Sequence, residues 1–342
     1  MAQVKTITIA TELSGSKPGD AHVELPYLAR SPLYKEEKPY AVVYDVSDIP
    51  SAKQTNHDIE LALQNIINAR RFPEGTFTLE RNGFEFVLNQ PNSLDASNAH
   101  DQKHVYNVFR LEMKQVLHRR FPQYRSIIYV DHTVRKRSPL FPSRPGMPVD
   151  FPQPASLPHS DFTTRGSFMR MSQLYPGEPE IYQNREFDLI KCAAIYNMIS
   201  SRLTTGWHSI WKVLAGPNND WPLAVCDYQS VDFVTDYVAN DVINERGIGE
   251  NALMYCNSQH KWYYMADQEV DDLIVFRNSN SRGKRAGKTH GPSLTHIQWW
   301  LVMKTLTLCS CGFLVAFHAA FDPKTVEGPP RESIEMRFAG FY

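Results

Sequence analysis

Short apolar runs separated by turn residues make up most of the chain, and helical spacing shows clearly in one stretch. "TFTLERNGFEFV" (76–87) alternates about Asn82-Gly83, a dipeptide that accepts positive φ, and predicts a hairpin. Residues 101–120 place Val105, Val108, Phe109, Met113, Val116 and Leu117 at helical spacing with Lys and Arg opposite, so an amphipathic helix is predicted. Pro122 ends it. "SIIYV" (126–130) predicts a buried strand, with "DHTVRKR" after it. Seven prolines from Pro139 to Pro158 exclude a helix or central strand and predict a long extended connection. Beyond it, "PLAVCDYQSV", "NALMYCNS", "KWYYMA", "DDLIVFRN" and "SIEMRFAGFY" predict the short strands of a sandwich or barrel. "AVCDYQSVDFVTDYV" predicts a strand turning into a short helix over Ser230–Val238. The reading is an α/β wrapping region over 1–138 and a β core over 139–342, closed by the C-terminus, with no internal repeat.

Composition narrows the class without changing that outline. With 342 residues the chain has enough length and apolar content to bury a sizeable core. Its 37 acidic and 36 basic residues nearly cancel, so nothing in the charge balance points to nucleic acid. The first twenty residues lack an apolar signal core, so secretion is not expected. The cysteines (Cys192, Cys226, Cys256, Cys309 and Cys311) are odd in number and irregularly spaced, which fits a reduced cytoplasmic setting better than a disulfide framework. "WWLVMKTLTLCSCGFLVAF" (299–317) is apolar, but Lys304 inside it is costly in lipid, so no membrane span is assigned.

The candidate chemistry starts at "LPHSDF" (157–162). His159 and Asp161 are two positions apart, and in an extended chain such residues point to the same side. An imidazole and a carboxylate so placed suit one metal ion; they equally suit a polar strand edge, and a third ligand separates the two readings. His260, His290, His296 and His318 are the later histidines considered. His318 lies at the end of an apolar stretch, before a proline-rich turn and a strand starting Arg331-Glu332-Ser333. On that strand Arg331, Ser333, Glu335 and Arg337 share one face, and Ile334, Met336 and Phe338 the other. Two histidines and a carboxylate on one face of an iron leave positions open for a bidentate cosubstrate and dioxygen. Arg-x-Ser one strand after a histidine is the pattern expected to anchor the far carboxylate of 2-oxoglutarate. The alternative is a C-terminal strand with two surface ion pairs.

"PYLARSPLYKEEKPY", "FTLERNGFEF", "YVDHTVRKR", "LPHSDFTTRG", "WPLAVCDYQSV", "HKWYYMADQEVDDLIVFRNSNS", "FHAAFDP" and "PPRESIEMRF" run in order through most of the chain. In these stretches the sequence resembles the fungal asaB-type hydroxylase/desaturase family, related to gibberellin desaturase and a cephamycin hydroxylase component. The resemblance implies a single iron(II)- and 2-oxoglutarate-dependent oxygenase domain over 1–342, on a double-stranded β-helix (cupin-like jelly roll) flanked by helices. It implies His159, Asp161 and His318 as iron ligands, and Arg331 with Ser333 as the cosubstrate clamp. The partners implied are dioxygen and a small secondary metabolite, hydroxylated or desaturated at an unactivated C–H bond. Two other readings stand beside it: a non-catalytic metal-binding member of the fold, and a hydrolase with a zinc-bound water. Arg331-x-Ser333 favours the oxygenase, since hydrolysis needs no dicarboxylate clamp.

The chain departs from the family pattern in two places. Trp211-Lys212-Val213 stands where the family usually reads Trp-Arg-Pro, and Lys lacks the planar fork of Arg. Gly287–Val315 intervenes before "AFHAAFDP"; without it "SRGKRA" joins that stretch in a family-like junction, so 287–315 is read as an insertion or unspliced intron. "CAAIYNMISSRLTTGW" (192–207) is a second such candidate. His290 and His296 fall inside the first segment, and His260 is expected to hydrogen-bond or pack beside Trp262. His132 and Arg135 are weighed between the pocket rim and a structural role, and Tyr263 and Tyr264 are expected in the core and sheet surface.

Overall fold

The computed structural model describes residues 5–6, 19–142, 150–183, 185–191, 210–245, 247–281, 315–324 and 329–342. Its strands, in chain order, are β1 Lys5–Thr6, β2 Ala21–Leu28, β3 Tyr40–Val42, β4 Ile59–Asn68, β5 Phe84–Val87, β6 Ser126–Lys136, β7 His159–Ser160 and β8 Phe187–Lys191. They continue as β9 Ile210–Val213, β10 Leu223–Cys226, β11 Tyr237–Asn244, β12 Gly247–Met254, β13 Trp262–Tyr264, β14 Leu273–Asn280, β15 His318–Ala320 and β16 Glu332–Phe341. The larger sheet runs β1-β4-β13-β10-β15-β7-β12-β11-β3, with β2 on β4. The smaller runs β5-β14-β8-β16-β6, with β9 against β14 and β16. Strands from before residue 138 thus belong to both sheets. The two curled sheets form the jelly roll that the strand pattern predicts.

Alternation along each strand explains the layering. On β14, Ile274 and Phe276 face inward and meet Val225 and Tyr263 of the larger sheet. Leu273 and Val275 face outward onto the helical layer, beside Phe109, Met113 and Leu117. On β10 and β13, Cys226 and Trp262 face out to a third cluster with Tyr27 and Ile66 of the N-terminal strands. Each such large apolar side chain contributes about 1.5–3 kcal/mol through burial. Helices α1 (Gln102–His104) and α2 (Arg110–Arg120) are joined by a π-helical turn over Val105–Phe109, and α3 spans Thr164–Leu174.

Four local differences from the sequence expectations have physical causes. The helix over 101–120 is present, but the π turn advances its phase and leaves Val108 39% exposed while Val105 and Phe109 are buried. Of the hairpin over 76–87 only β5 forms. The Asn82 side chain accepts from Thr78 N at 3.2 Å and donates to Asp227 at 2.9 Å, and Phe77 and Leu79 turn into the core instead of pairing. Gly83 supplies the positive φ (+82°) of that turn. In place of a helix over Ser230–Val238 there is a 3-10 turn, Tyr228–Ser230, capped by Asp227, and then β11. The strand predicted at 126–130 continues to Lys136, because all of β16 pairs along it.

One strand of the smaller sheet is built from two pieces. β8 and β9 both lie between β14 and β16. Lys191 stands opposite Phe276 and Trp211 opposite Ile274, so Lys191 and Ile210 occupy consecutive rungs along β14. On β16, Ile190 faces Phe338 and Ile210 faces Met336, which gives the same count. The second insertion candidate, 192–207, lies outside the described residues, between these two rungs. The first, 287–315, also lies outside them except for Val315, which is buried. Among the described residues no helix is long and apolar enough to cross a membrane.

Candidate metal centre

β7 is brought into the larger sheet by the end of the proline-rich connection. Met254 N donates to Pro158 O at 3.0 Å, and Ala320 N donates to Ala155 O at 2.7 Å, which pins that connection to β12 and to the end of β15. β7 therefore sits between β12 and β15, with His159 opposite both Leu253 and His318. The chain leaves the sheet at Asp161, and α3 starts at once. Thr163 caps it by accepting from Gly166 N at 2.9 Å. The close approach of α3 to β12 requires glycine at 166: a Cβ there would lie 2.0 Å from the carbonyl oxygen of Glu250.

His159, Asp161 and His318 present ligand atoms all within 4.8 Å of one another. Asp161 Oδ1 lies 3.3 Å from His159 Nε2 and 3.7 Å from His318 Nε2. Bonds of about 2.1 Å to one ion at right to tetrahedral angles require separations of roughly 3.0–3.4 Å, so the three groups fit a shared metal with small adjustment. Each imidazole turns its other nitrogen to a backbone carbonyl: His159 Nδ1 to Leu157 O at 2.7 Å, His318 Nδ1 to Ala316 O at 3.4 Å. A proton on Nδ1 serves those contacts and leaves both Nε2 lone pairs for a metal, the outer-shell arrangement that fixes a ligand's tautomer. The His159 and His318 rings lie 4.3 Å apart, and Phe276 packs on His318 at 4.8 Å, closing one side of the site.

Arg331, immediately before β16, shares a face with Ser333, Glu335 and Arg337 of that strand. Arg331 is 2% exposed and donates from Nε to Ser333 Oγ at 3.1 Å and from Nη1 to Trp221 O. Its guanidinium lies 5.0 Å from the Trp211 ring. Burial pushes Arg331 down to about 10; Glu335 opposes that and Arg135 adds to it. Glu335 Oε1 lies 3.9 Å from Arg331 Nη2, and Asp220 likewise favours the charged guanidinium. Glu335 is held by Arg135 Nε at 2.6 Å, which puts Arg135 on the site's side of the sheet. His132 is on the other side, bonded to Tyr129 and Gln102 beside α1.

Lys212 also points away from the site. Its Nζ donates to Asn92 Oδ1 at 2.6 Å and to Leu94 O under the helical layer, so the departure from Trp-Arg-Pro falls on the outer face of β9. His260 is buried, hydrogen-bonds Asp236 at 3.0 Å, and stacks on Tyr27 with ring centroids 6.4 Å apart. Tyr263 lies in the inter-sheet core and Tyr264 in the cluster on the outer face. Sequence reasoning gave no role to Asn278, whose Nδ2 donates to Asp161 Oδ2 at 3.2 Å. The available signal was the polar run "RNSNS" ending an apolar strand; all five of these residues, 277–281, are at most 5% exposed.

A family model described as "YDMC: Oxidoreductase/YMDC permease-like domain" matches residues 25–296. Aspirochlorine biosynthesis protein N of Aspergillus oryzae is 26% identical over 137 residues, 39% of this chain and 47% of the relative. The Fe(II)/2-oxoglutarate-dependent dioxygenase nvfI of Aspergillus novofumigatus is 28% identical over 130 residues, 38% of each chain. The matches span less than half the length of either relative. Two solved structures of the iron and alpha-ketoglutarate-dependent endoperoxidase NvfI align at 20% identity with TM-scores of 0.68 and 0.67. They cover 95% and 94% of this chain and 99% and 98% of their own. At that identity the likeness establishes the fold.

Proposed function

The chain belongs to the oxidoreductase/YMDC permease-like domain family, and on that premise we propose that it is an iron(II)- and 2-oxoglutarate-dependent oxygenase. It hydroxylates or desaturates an unactivated C–H bond of a small secondary metabolite. The observation that carries the reading is the meeting of His159, Asp161 and His318 from β7 and β15, with ligand atoms within 4.8 Å. Support for the cosubstrate comes from Arg331, just before β16, bonded to Ser333 on it, and from relatives whose names include iron and 2-oxoglutarate or alpha-ketoglutarate.

In this reading His159, Asp161 and His318 hold the iron through two neutral imidazoles and one carboxylate. Arg331 and Ser333 take the far carboxylate of 2-oxoglutarate. When bound, iron and 2-oxoglutarate supply the activation of dioxygen and the oxidation of the C–H bond, with succinate and carbon dioxide as the other products. The chain's own part is orientation and exclusion of water. Phe276 covers His318, Trp211 backs Arg331, and the carbonyls of Leu157 and Ala316 keep the imidazole protons on Nδ1. The cytoplasmic setting rests on the free thiols of Cys226 and Cys256 and on the cysteine pattern.

Succinate release tests the proposal. The full chain, loaded with iron(II) and given 2-oxoglutarate and dioxygen, is expected to form succinate, and His318→Ala to lose this by at least about 100-fold. No iron-dependent succinate from the parent chain, across a panel of small apolar substrates, overturns it.

A further inference from the structure

We propose that Arg337 and Asn278 are positioning residues that hold Asp161 as a one-oxygen ligand of the metal. The inference rests on the oxygenase reading above and adds what that reading leaves open: which oxygen of Asp161 binds, and what keeps the other away.

The two carboxylate oxygens have different surroundings. Oδ1 faces both imidazoles, at 3.3 and 3.7 Å. Oδ2 takes Asn278 Nδ2 at 3.2 Å and faces Arg337 Nη1 at 3.4 Å. Both donors come from the smaller sheet, across the interior from β7. Asn278 is the extra residue where β14 shifts register against β8, between Arg277 and Ser279. Arg337 adjoins the register shift of β16 against β6. Such irregularities in a ladder commonly sit beside functional sites, where they turn a side chain out of the regular pattern.

Arg337 is itself fixed. Its Nε donates to Asp131 Oδ1 at 2.7 Å, and its guanidinium lies 5.2 Å from the Phe162 ring. Asp131 in turn accepts from Arg170 of α3 at 2.9 Å. The chain of charges Asp161, Arg337, Asp131 and Arg170 alternates in sign and ties the metal carboxylate to both β6 and α3. Charge-assisted contacts of this kind are stronger than neutral ones and hold geometry as well.

The consequence follows from counting positions. With iron bound, two imidazoles and a one-oxygen carboxylate would fill three of six positions and leave three for a cosubstrate held through two atoms and for dioxygen. A carboxylate bound through both oxygens would leave two positions, which the cosubstrate fills, and none for dioxygen. Holding Oδ2 on Asn278 and Arg337 prevents that arrangement.

The test uses the purified full chain with Co(II) or Mn(II) alone, so that activity is not the readout. Asn278→Ala and Arg337→Met are each expected to weaken metal affinity about 10- to 100-fold by calorimetric titration. They are also expected to change the Co(II) visible spectrum toward a higher coordination number. Arg337→Lys, which keeps one donor, recovers part of the affinity. Affinity within twofold of the parent and an unchanged Co(II) spectrum, in variants that still melt cooperatively, overturn the proposal. If Arg337→Met does not fold, Asn278→Ala decides alone. Asp161→Ala separates this failure from that of the oxygenase reading. Metal binding lost in Asp161→Ala but untouched by Asn278→Ala and Arg337→Met sinks the positioning role only; metal binding untouched by Asp161→Ala sinks both.

Discussion

A lysine with no measurable exposure, Lys212, shows how a side chain's neighbours set its charge. Burial pushes it down to about 8, partly opposed by Asp271, Asp95 and Glu112. The folded chain therefore releases this proton at a lower pH than the unfolded chain, which keeps it up to the ordinary lysine range. Between those limits the unfolded state binds more protons, so raising the pH favours folding. Relative to Lys212→Met, the parent is expected to gain roughly 1–2 kcal/mol between pH 7.5 and 9.5, as measured by urea unfolding. A difference that stays flat with pH contradicts this burial account. The same neighbours answer the question raised by Trp211-Lys212-Val213. Asn92 and Leu94 receive the lysine, so the substitution tunes the seam between β9 and the loop before α1 and leaves the metal site alone.

At the scale of elements, the joint between β8 and β9 is the most consequential feature. Consecutive rungs at Lys191 and Ile210 mean that the ladder to β14 and β16 needs nothing from residues 192–209. A chain in which Lys191 is joined directly to Ile210 is expected to fold, with a circular dichroism spectrum like the parent's and Co(II) affinity within a few-fold. An insoluble or unfolded product contradicts that expectation. The composition of "CAAIYNMISSRLTTGW" hinted at an interruption, but only the register locates both of its ends. Other elements were legible for plain reasons. His159 and Asp161 could be paired from their spacing, because a short strand followed by a capped helix keeps both on one side. The inward and outward faces of β16 could be read from alternation alone. The failed hairpin and the missing helix could not, since each depends on partners distant in sequence: Asp227 for Asn82, and β3 for β11. Asn278 was hidden for the same reason, as its importance comes from a register shift against β8.

Across the whole molecule, the larger sheet and the residue just after β7 carry the proposed ligands, and the smaller sheet carries the residues proposed to orient them. His159 and His318 come from adjacent strands of one sheet; Arg331, Ser333, Asn278 and Arg337 come from the other. On this proposal the centre is complete only when both sheets are in place. The proposed cosubstrate clamp and the proposed metal ligands are different residues, so they can be tested apart. The decisive measurement is an anaerobic titration of the full chain with iron(II) and 2-oxoglutarate, followed by visible absorption. The account predicts a charge-transfer band that saturates at about one iron per chain, as a single triad requires. That band is lost in His318→Ala. In Arg331→Met, iron still binds but the band needs at least about tenfold more 2-oxoglutarate, as expected on losing a charge-assisted clamp. No band in the parent chain, or a band unchanged in His318→Ala, would contradict the assignment of the centre.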